Sequence, residues 1–468
     1  MIKKILSVLL FTLSALALNG CETTGNIFKS GASMSSAPTE QSAPVNLQGF
    51  PNDPVFWQGG TTTVWNKLQH IPLPELQSTA ARATNPEIAA WLKLAMISKQ
   101  YSTDTRQLVT QLMAWRAANP GHPANALFPP DSTLGSLQNA TIPRHIALLL
   151  PLQGAVGESG QAVRNGFLSA YYASPVQHQQ TVSFLDTAQN QNMSALYQQA
   201  LSQGADSIVG PLTRDNVQQL LGQGKFQAPT LALNYTDVWG SLPSNFYEFG
   251  LSPTDEAKQL AEKSWQTGHK RALLIAPEDA WGQRVVKSLT TNWQSLGGSV
   301  ADTYYFSSQS DLNAGIARLL HANPDKNAPA SQQRRQDFDI IFLLAPPQSA
   351  RQIVPLLKYY YAANVPIYAT SVVYSGAPSA QDSDLNGVTF ADMPWTLQNA
   401  NTSAIKSDSK SSRLYALGRD AYLLCNQFYR LSVLPNFPVY GATGALTLTS
   451  QQQIYRRLAW VQMHNGRP

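Results

Sequence analysis

His145-Ile146-Ala147-Leu148-Leu149-Leu150-Pro151-Leu152-Gln153-Gly154-Ala155-Val156-Gly157-Glu158-Ser159-Gly160 is the stretch from which the fold is read. Its apolar run shows no alternation with polar residues, which marks a strand buried on both faces, as in a parallel sheet covered by helices. A glycine-rich turn follows, then a helical pattern from about Gly160 to Tyr172. In a doubly wound sheet, ligands gather beyond the carboxyl ends of the strands, near a positive helix terminus. Gln153 and Gly154 are therefore candidate cleft residues. The spacing G-x-x-G-x-x-G is not the G-x-G-x-x-G of dinucleotide sites, and no G-x-x-x-x-G-K-[ST] occurs. The plainer reading is a turn whose small residues let strand and helix pack closely.

Further along, the same alternation repeats. Val182–Leu185 reads as a strand, Met193–Ser202 as a helix, and Ser207–Gly210 and Thr230–Leu233 as further strands. A second set opens at Leu251, with a helix over Pro253–Gln266 and a strand over Arg271–Ile275. It continues with a helix over residues 280–296 and strands over Asp339–Leu344 and Pro366–Ala369. This pattern predicts two parallel-sheet lobes with a cleft between them. The turn Gly210-Pro211-Leu212-Thr213-Arg214 and the strand end Asn234-Tyr235 then form one rim. Pro211, Leu212, Asn234 and Tyr235 are candidate cleft residues there, with Trp281 and Tyr374 as candidates on the opposed wall. Helix caps, turns and core aromatics explain these residues equally well.

Toward the amino terminus the pattern is helical over residues 54–120. Trp57, Val64, Trp65, Leu68 and Ile71 form one apolar series before Pro72 and Pro74. Asn85-Pro86-Glu87 is a helix start, and Thr105–Ala118 places Leu108, Val109, Leu112 and Trp115 on one face. About two helical pairs are marginal alone, so residues 51–130 are expected to pack on the next domain or on a partner.

Met1-Ile2-Lys3-Lys4 precedes an apolar run to Leu18, too short for a comfortable membrane span. Leu18-Asn19-Gly20-Cys21 looks like a lipobox, so residues 1–20 are expected to be a lipoprotein signal peptide and Cys21 the lipidated residue. Glu22, where Asp resembles an inner-membrane retention signal, points to the periplasmic face of the outer membrane. Residues 21–50, rich in Ser, Thr, Ala, Gly, Pro and Gln, form a lipidated flexible tether with a reach of about 30 Å.

Composition narrows the function classes. Of the 468 residues 43% are hydrophobic and 13% charged, about half the usual charged share of roughly 25%, which excludes a disordered or coiled-coil chain. A formal charge of +5 without a clustered basic face argues against nucleic acid as a partner. The seven histidines are scattered without an H-x-x-x-H pair, and Ser159 lacks a G-x-S-x-G frame. No catalytic residue, metal ligand or cofactor motif emerges, and the expectation is a protein that is not an enzyme. Cys425, in Ala421-Tyr422-Leu423-Leu424-Cys425, reads as a buried core thiol.

From Arg144 onward the chain resembles the LppC/LpoA lipoprotein family, outer-membrane activators of class A penicillin-binding proteins. The resemblance rests on His145–Leu152 with Gly157 and Gly166-Phe167, on Gly210-Pro211-Leu212, and on Leu273-Leu274-Ile275-Ala276-Pro277 with Trp281-Gly282. Asp339–Ala345 and Ile454-Tyr455-Arg456-Arg457-Leu458-Ala459-Trp460 are also similar. It implies an α/β fold with a two-lobed type I periplasmic-binding-protein-like domain over residues 144–468, preceded by a short all-α, tetratricopeptide-like domain. The approximate lobes are 144–250 and 251–370, with 371–468 crossing between them. It further implies a non-enzymatic regulator of peptidoglycan synthesis that binds a class A penicillin-binding protein and stimulates transpeptidation. Better-known members carry a longer helical array than the roughly 70 residues here. The alternative is a lipoprotein that binds a small ligand, an amino acid or muropeptide, in the interlobe cleft.

Overall fold

The computed structural model describes residues 50–468 except 53, 189–191, 237–240, 324, 326, 328, 330, 331 and 400–408. The expected signal segment, Cys21 and all but the last residue of the expected tether lie outside the described residues.

The first sheet has the order β2-β1-β3-β4-β5, all parallel, from β1 (His145–Leu150), β2 (Thr181–Asp186), β3 (Ser207–Val209), β4 (Thr230–Ala232) and β5 (Phe246–Glu248). β1 is central, with Ile146 opposite Val182 on one side and Ser207 on the other. Its side chains part by the period of two: Ile146, Leu148 and Leu150 enter one core, Ala147 and Leu149 the other. That division is why the run is apolar throughout.

The second sheet follows the same rule. Its order is β14-β10-β9-β8-β6-β7, built from β6 (Arg271–Pro277), β7 (Ser299–Phe306), β8 (Ile340–Leu343), β9 (Ile367–Ala369), β10 (Thr389–Asp392) and β14 (Ala459–Gln462). Only β14 runs antiparallel, against β10. Leu273 and Ile275 face one core, and Ala272, Leu274 and Ala276 the other. A third, antiparallel sheet of β11 (Val439–Tyr440), β12 (Ala445–Leu448) and β13 (Ile454–Arg457) inserts Val439, Leu446 and Ile454 into the core of the first lobe.

The chain passes between the lobes three times: after β5, after β10, and at Leu458 between β13 and β14. The second passage leads to the helix Ser409–Cys425, which packs along the helix Gly157–Ala173. Two glycines set that approach. A Cβ on Gly166 would lie 1.9 Å from the Tyr415 carbonyl oxygen, and one on Gly418 would lie 1.9 Å from that of Val163. Cys425, at the end of this helix, is buried, and its Sγ donates to the Tyr422 carbonyl at 3.1 Å. Burial pushes the thiol well above its ordinary range.

The helical layer comprises Thr61–His70, Leu73–Ala80, Pro86–Gln100 and Thr105–Ala118, with shorter turns to Asn139. Pro72 and Pro74 start the helix Leu73–Ala80, since proline suits a first turn whose N–H groups have no helical partner. Asn85 caps the next helix through the Glu87 and Ile88 amides, and Asp104 caps the last through Gln107. Leu434 and Phe437, from the far end of the chain, complete the layer's hydrophobic core. Trp65 Nε1 donates to the Asn436 carbonyl at 2.6 Å. The layer is thus docked on the lobes, and its marginal length is offset by that contact.

Candidate functional site at the interlobe crossings

The three passages meet in a buried charged network. Ser252 caps the helix Pro253–Gln266 and places Glu256 in its first turn. Glu256 Oε1 accepts from Arg456 Nη2 at 3.1 Å, and Oε2 accepts from the Ser371 amide at 3.2 Å and its hydroxyl at 2.7 Å. Arg456 Nε donates to the Gly250 carbonyl at 3.2 Å. Gln259 closes the ring, donating to the Arg456 carbonyl at 3.0 Å and accepting from the Leu458 amide at 2.9 Å.

A second pair lies alongside. Asp392, at the end of β10, accepts from Arg413 Nη2 at 2.5 Å, and the same nitrogen reaches the Ser371 and Tyr374 carbonyls. Ser371 therefore touches both pairs, and each passage contributes at least one member. Arg456 is 1% exposed and Asp392 is fully buried. Charges this deep stay ionised only when paired and hydrogen-bonded. Burial raises the Asp392 carboxyl against the downward pull of Arg413. Asp255, buried beside Glu256, is pushed up to about 6 by burial, with Arg456 and Lys258 pulling the other way.

The rim residues fall into distinct places. Pro211, Leu212, Asn234 and Tyr235 come together: the Leu233 amide donates to Pro211 O at 2.9 Å, and Asn234 Nδ2 to Leu212 O at 3.1 Å. Tyr235 is buried, its hydroxyl donating to the Ile454 carbonyl at 3.1 Å and its ring lying against Gly250. Gln153 and Gly154 are exposed, in the turn beyond β1. Gly157 and Gly160, just beyond, serve close packing, since a Cβ on Gly160 would lie 1.8 Å from the Pro151 carbonyl oxygen and one on Gly157 3.2 Å from that of Leu152, whereas Gly154 has open space and a φ of +71°. Gly282 stands in the same relation to Pro277 after β6, at 2.0 Å. Trp281 and Tyr374 belong to different cores of the second lobe: Trp281 is half-buried, while Tyr374 is 1% exposed and packs on Phe390.

Sequence reading did not single out Glu256, Ser371, Asp392, Arg413 or Arg456. They come from separate elements between the helix Pro253–Gln266 and β13; Arg456 alone lies in a stretch that carried the family resemblance, and nothing local there pointed to a buried ion pair. Chemically the junction's carboxylates and guanidiniums are engaged with each other, so the arrangement holds two lobes in register. Among the described residues, the buried polar atoms left without a partner here are Arg456 Nη1, Thr370 Oγ1, Tyr374 Oη and Thr396 Oγ1.

Comparison with known proteins agrees with this architecture. The chain is similar to the penicillin-binding protein activator LpoA of Photobacterium profundum, with 27% identity across 86% of this chain and 69% of the relative. The solved C-domain of LpoA from Haemophilus influenzae, "a regulator of PBP1A", superposes with a TM-score of 0.56 and 28% identity over 69% of this chain and 98% of that one. A "putative branched-chain amino acid ABC transporter" from Chromobacterium violaceum gives 0.55 and 29% over 68% and 100%. Residues 57–466 match the family described as "LppC putative lipoprotein", and the chain belongs to that family.

Proposed function

We propose that this protein is an outer-membrane lipoprotein that binds a class A penicillin-binding protein and raises its transpeptidase activity, catalysing nothing itself. The observation that carries the reading is the likeness to relatives named penicillin-binding protein activators, which extends over 86% of this chain. Cys21 is the lipidated residue, and residues 22–50 supply a reach of about 30 Å from the membrane. An anchored activator of this kind works by binding the active conformation of its partner more tightly than the inactive one, since only differential affinity shifts a conformational equilibrium. The paired charges at the crossings support that role, because a partner is shifted more effectively by a surface held in one disposition.

The test is a titration of the protein lacking residues 1–21 into the class A penicillin-binding proteins of the same organism. Binding and peptide cross-linking of lipid II are followed together. Tight binding with raised cross-linking is expected. The second reading, a receptor for an amino acid or muropeptide, is favoured by the likeness to the Chromobacterium violaceum protein. It takes over if no synthase binds and one of those ligands raises the melting temperature. Anchoring is tested separately: Cys21→Ser is expected to abolish labelling by radioactive palmitate and to release the protein from outer-membrane fractions.

A further inference from the structure

On the second lobe, away from the crossings, the turn after the helix Pro347–Leu357 and the segment before β8 enclose an open concavity of about 550 Å³. Gln333, Arg334, Gln336, Lys358, Tyr361, Ala363 and Asn364 line it. Arg334 is 8% exposed, and among the described residues the partners of its guanidinium are neutral. Nε donates to the Tyr361 carbonyl at 2.9 Å, Nη1 to the Arg335 carbonyl at 2.8 Å, and Nη2 to Asn364 Oδ1 at 3.3 Å. Its face lies over the Phe338 ring, 4.9 Å from the centroid. Lys358 is likewise held by a neutral group, the Asn386 carbonyl at 3.0 Å. Nearby acids are engaged elsewhere, because Asp337 and Asp302 both pair with Arg335, at 2.7 Å and 3.1 Å.

Two cations thus share one concavity with no carboxylate of their own among the described residues. A buried guanidinium ordinarily has an anionic partner, since leaving the charge uncompensated is costly. Tyr361 adds a second observation. It adopts φ 63°, ψ 19°, the left-handed region that a bulky side chain occupies only under strain. That strain places its carbonyl on Arg334. Tyr361 itself lines the concavity beside Arg334, and Tyr with Arg is the composition of binding hot spots.

We propose that this concavity is the docking site for an acidic peptide segment of a protein partner, whose carboxylates meet Arg334 and Lys358 and whose peptide groups meet the Gln336 and Asn364 amides. The identity of that partner as the synthase rests on the function proposed above; the site itself does not. The probe is acetylated hexaglutamate, titrated into the full-length chain in detergent and followed by fluorescence anisotropy, with hexalysine as control. Hexaglutamate is expected to bind in the millimolar range or tighter and to weaken with salt. R334Q and K358E are each expected to weaken it by about fivefold or more, the order of one charged contact. K358E changes an exposed residue, so it tests the site even if R334Q folds poorly. Failure of hexaglutamate to bind, or binding unchanged in K358E, overturns the proposal. The synthase titration separates the two claims. Hexaglutamate binding that depends on Lys358, with no synthase bound, supports the site and defeats the named partner. Synthase binding unaltered by K358E leaves the activator function standing and defeats the synthase as the occupant of this site, which then stands or falls on the hexaglutamate result.

Discussion

Gly418 lies so close to Val163 that a Cβ in its place would stand 1.9 Å from the Val163 carbonyl oxygen and 2.8 Å from the carbonyl carbon. Backbone, unlike a flexible side chain, has little room to move aside. The helices Gly157–Ala173 and Ser409–Cys425 are joined face to face at this point, and the second returns the chain to the first lobe after its passage from β10. Gly418→Ala is expected to destabilise the protein by about 3 kcal/mol or more, at the upper end of what overpacking costs. Gly166→Ala, against Tyr415, is expected to behave alike. Gly224→Ala serves as control for lack of space, since nothing lies within 4 Å of its Cβ position, although its φ of +73° brings a strain of its own. Denaturant midpoints for the three variants check this.

The Glu256–Arg456 pair gives a second expectation. Arg456→Met leaves Glu256 buried with Ser371 as its remaining side-chain partner, at a cost of about 3–5 kcal/mol. Glu256→Gln keeps an acceptor for Ser371 but strands the guanidinium. The double variant E256Q/R456M is expected to cost less than the two singles together, by about 1–3 kcal/mol. Equilibrium unfolding of the four proteins measures the coupling, and strict additivity rules out a direct interaction.

Trp65 tests the docking of the helical layer. Its ring is 1% exposed and stands 5.0 Å from that of Phe437, and its indole N–H reaches Asn436. Trp65→Ala is expected to cost about 3–5 kcal/mol, and Trp65→Phe to lose chiefly the hydrogen bond, about 1 kcal/mol. Limited proteolysis of Trp65→Ala is expected to cut within residues 54–139 while the lobes resist. Simultaneous digestion of both regions shows instead that layer and lobes unfold as one unit.

Lys99 makes the same junction sensitive to pH. Its Nζ donates to the Gln69 carbonyl at 2.9 Å and the Tyr440 hydroxyl at 3.0 Å, and Arg457 Nη2 also reaches Gln69 O. Burial, reinforced by the Arg457 charge, lowers the ammonium to about 7. An unfolded chain keeps that proton to about 10.4. Between these values the unfolded state binds more protons, so stability rises with pH. A gain of about 2 kcal/mol from pH 7 to pH 9 is expected from this group. Asp255 and Asp420, both pushed to about 6, titrate below the window, and Tyr440, raised to about 12, above it. Lys99→Met is expected to remove that part of the slope, as pH-dependent melting would show. Equal slopes in the two proteins contradict the assignment.

How far the fold could be read from sequence differs between its parts. The strands buried on both faces were legible at once, because five consecutive apolar residues from Ile146 to Leu150 have few other uses in a soluble domain. Helices with proline or a polar cap at their start, such as Pro86–Gln100 and Pro253–Gln266, were legible for the same local reason. β7 and β14 were not, since both lie at sheet edges and are largely half-exposed, β7 with mixed polar and aromatic residues and β14 with only four residues to read. The helix Leu73–Ala80 was hidden because its prolines also read as breakers.

The junction was the least legible part. Asn234 and Tyr235 could be placed at a strand end, yet nothing local said that Tyr235 would be buried under Gly250 and bonded to Ile454. Tyr374 looked equally suited to a cleft wall and a core, and packing against Phe390 puts it in the core.

The sequence by itself determined the two alternating α/β sets and the helical layer before them, because propensity, periodicity and capping act over a few neighbouring residues. Only the tertiary structure decided which charges meet. Glu256 finds Arg456 across 200 positions, and Arg334 finds itself with Lys358 and, among the described residues, no acid, because ionic partners are chosen by where the sheets and crossings bring them. Coulomb attraction depends on distance in space and carries no trace of separation along the chain.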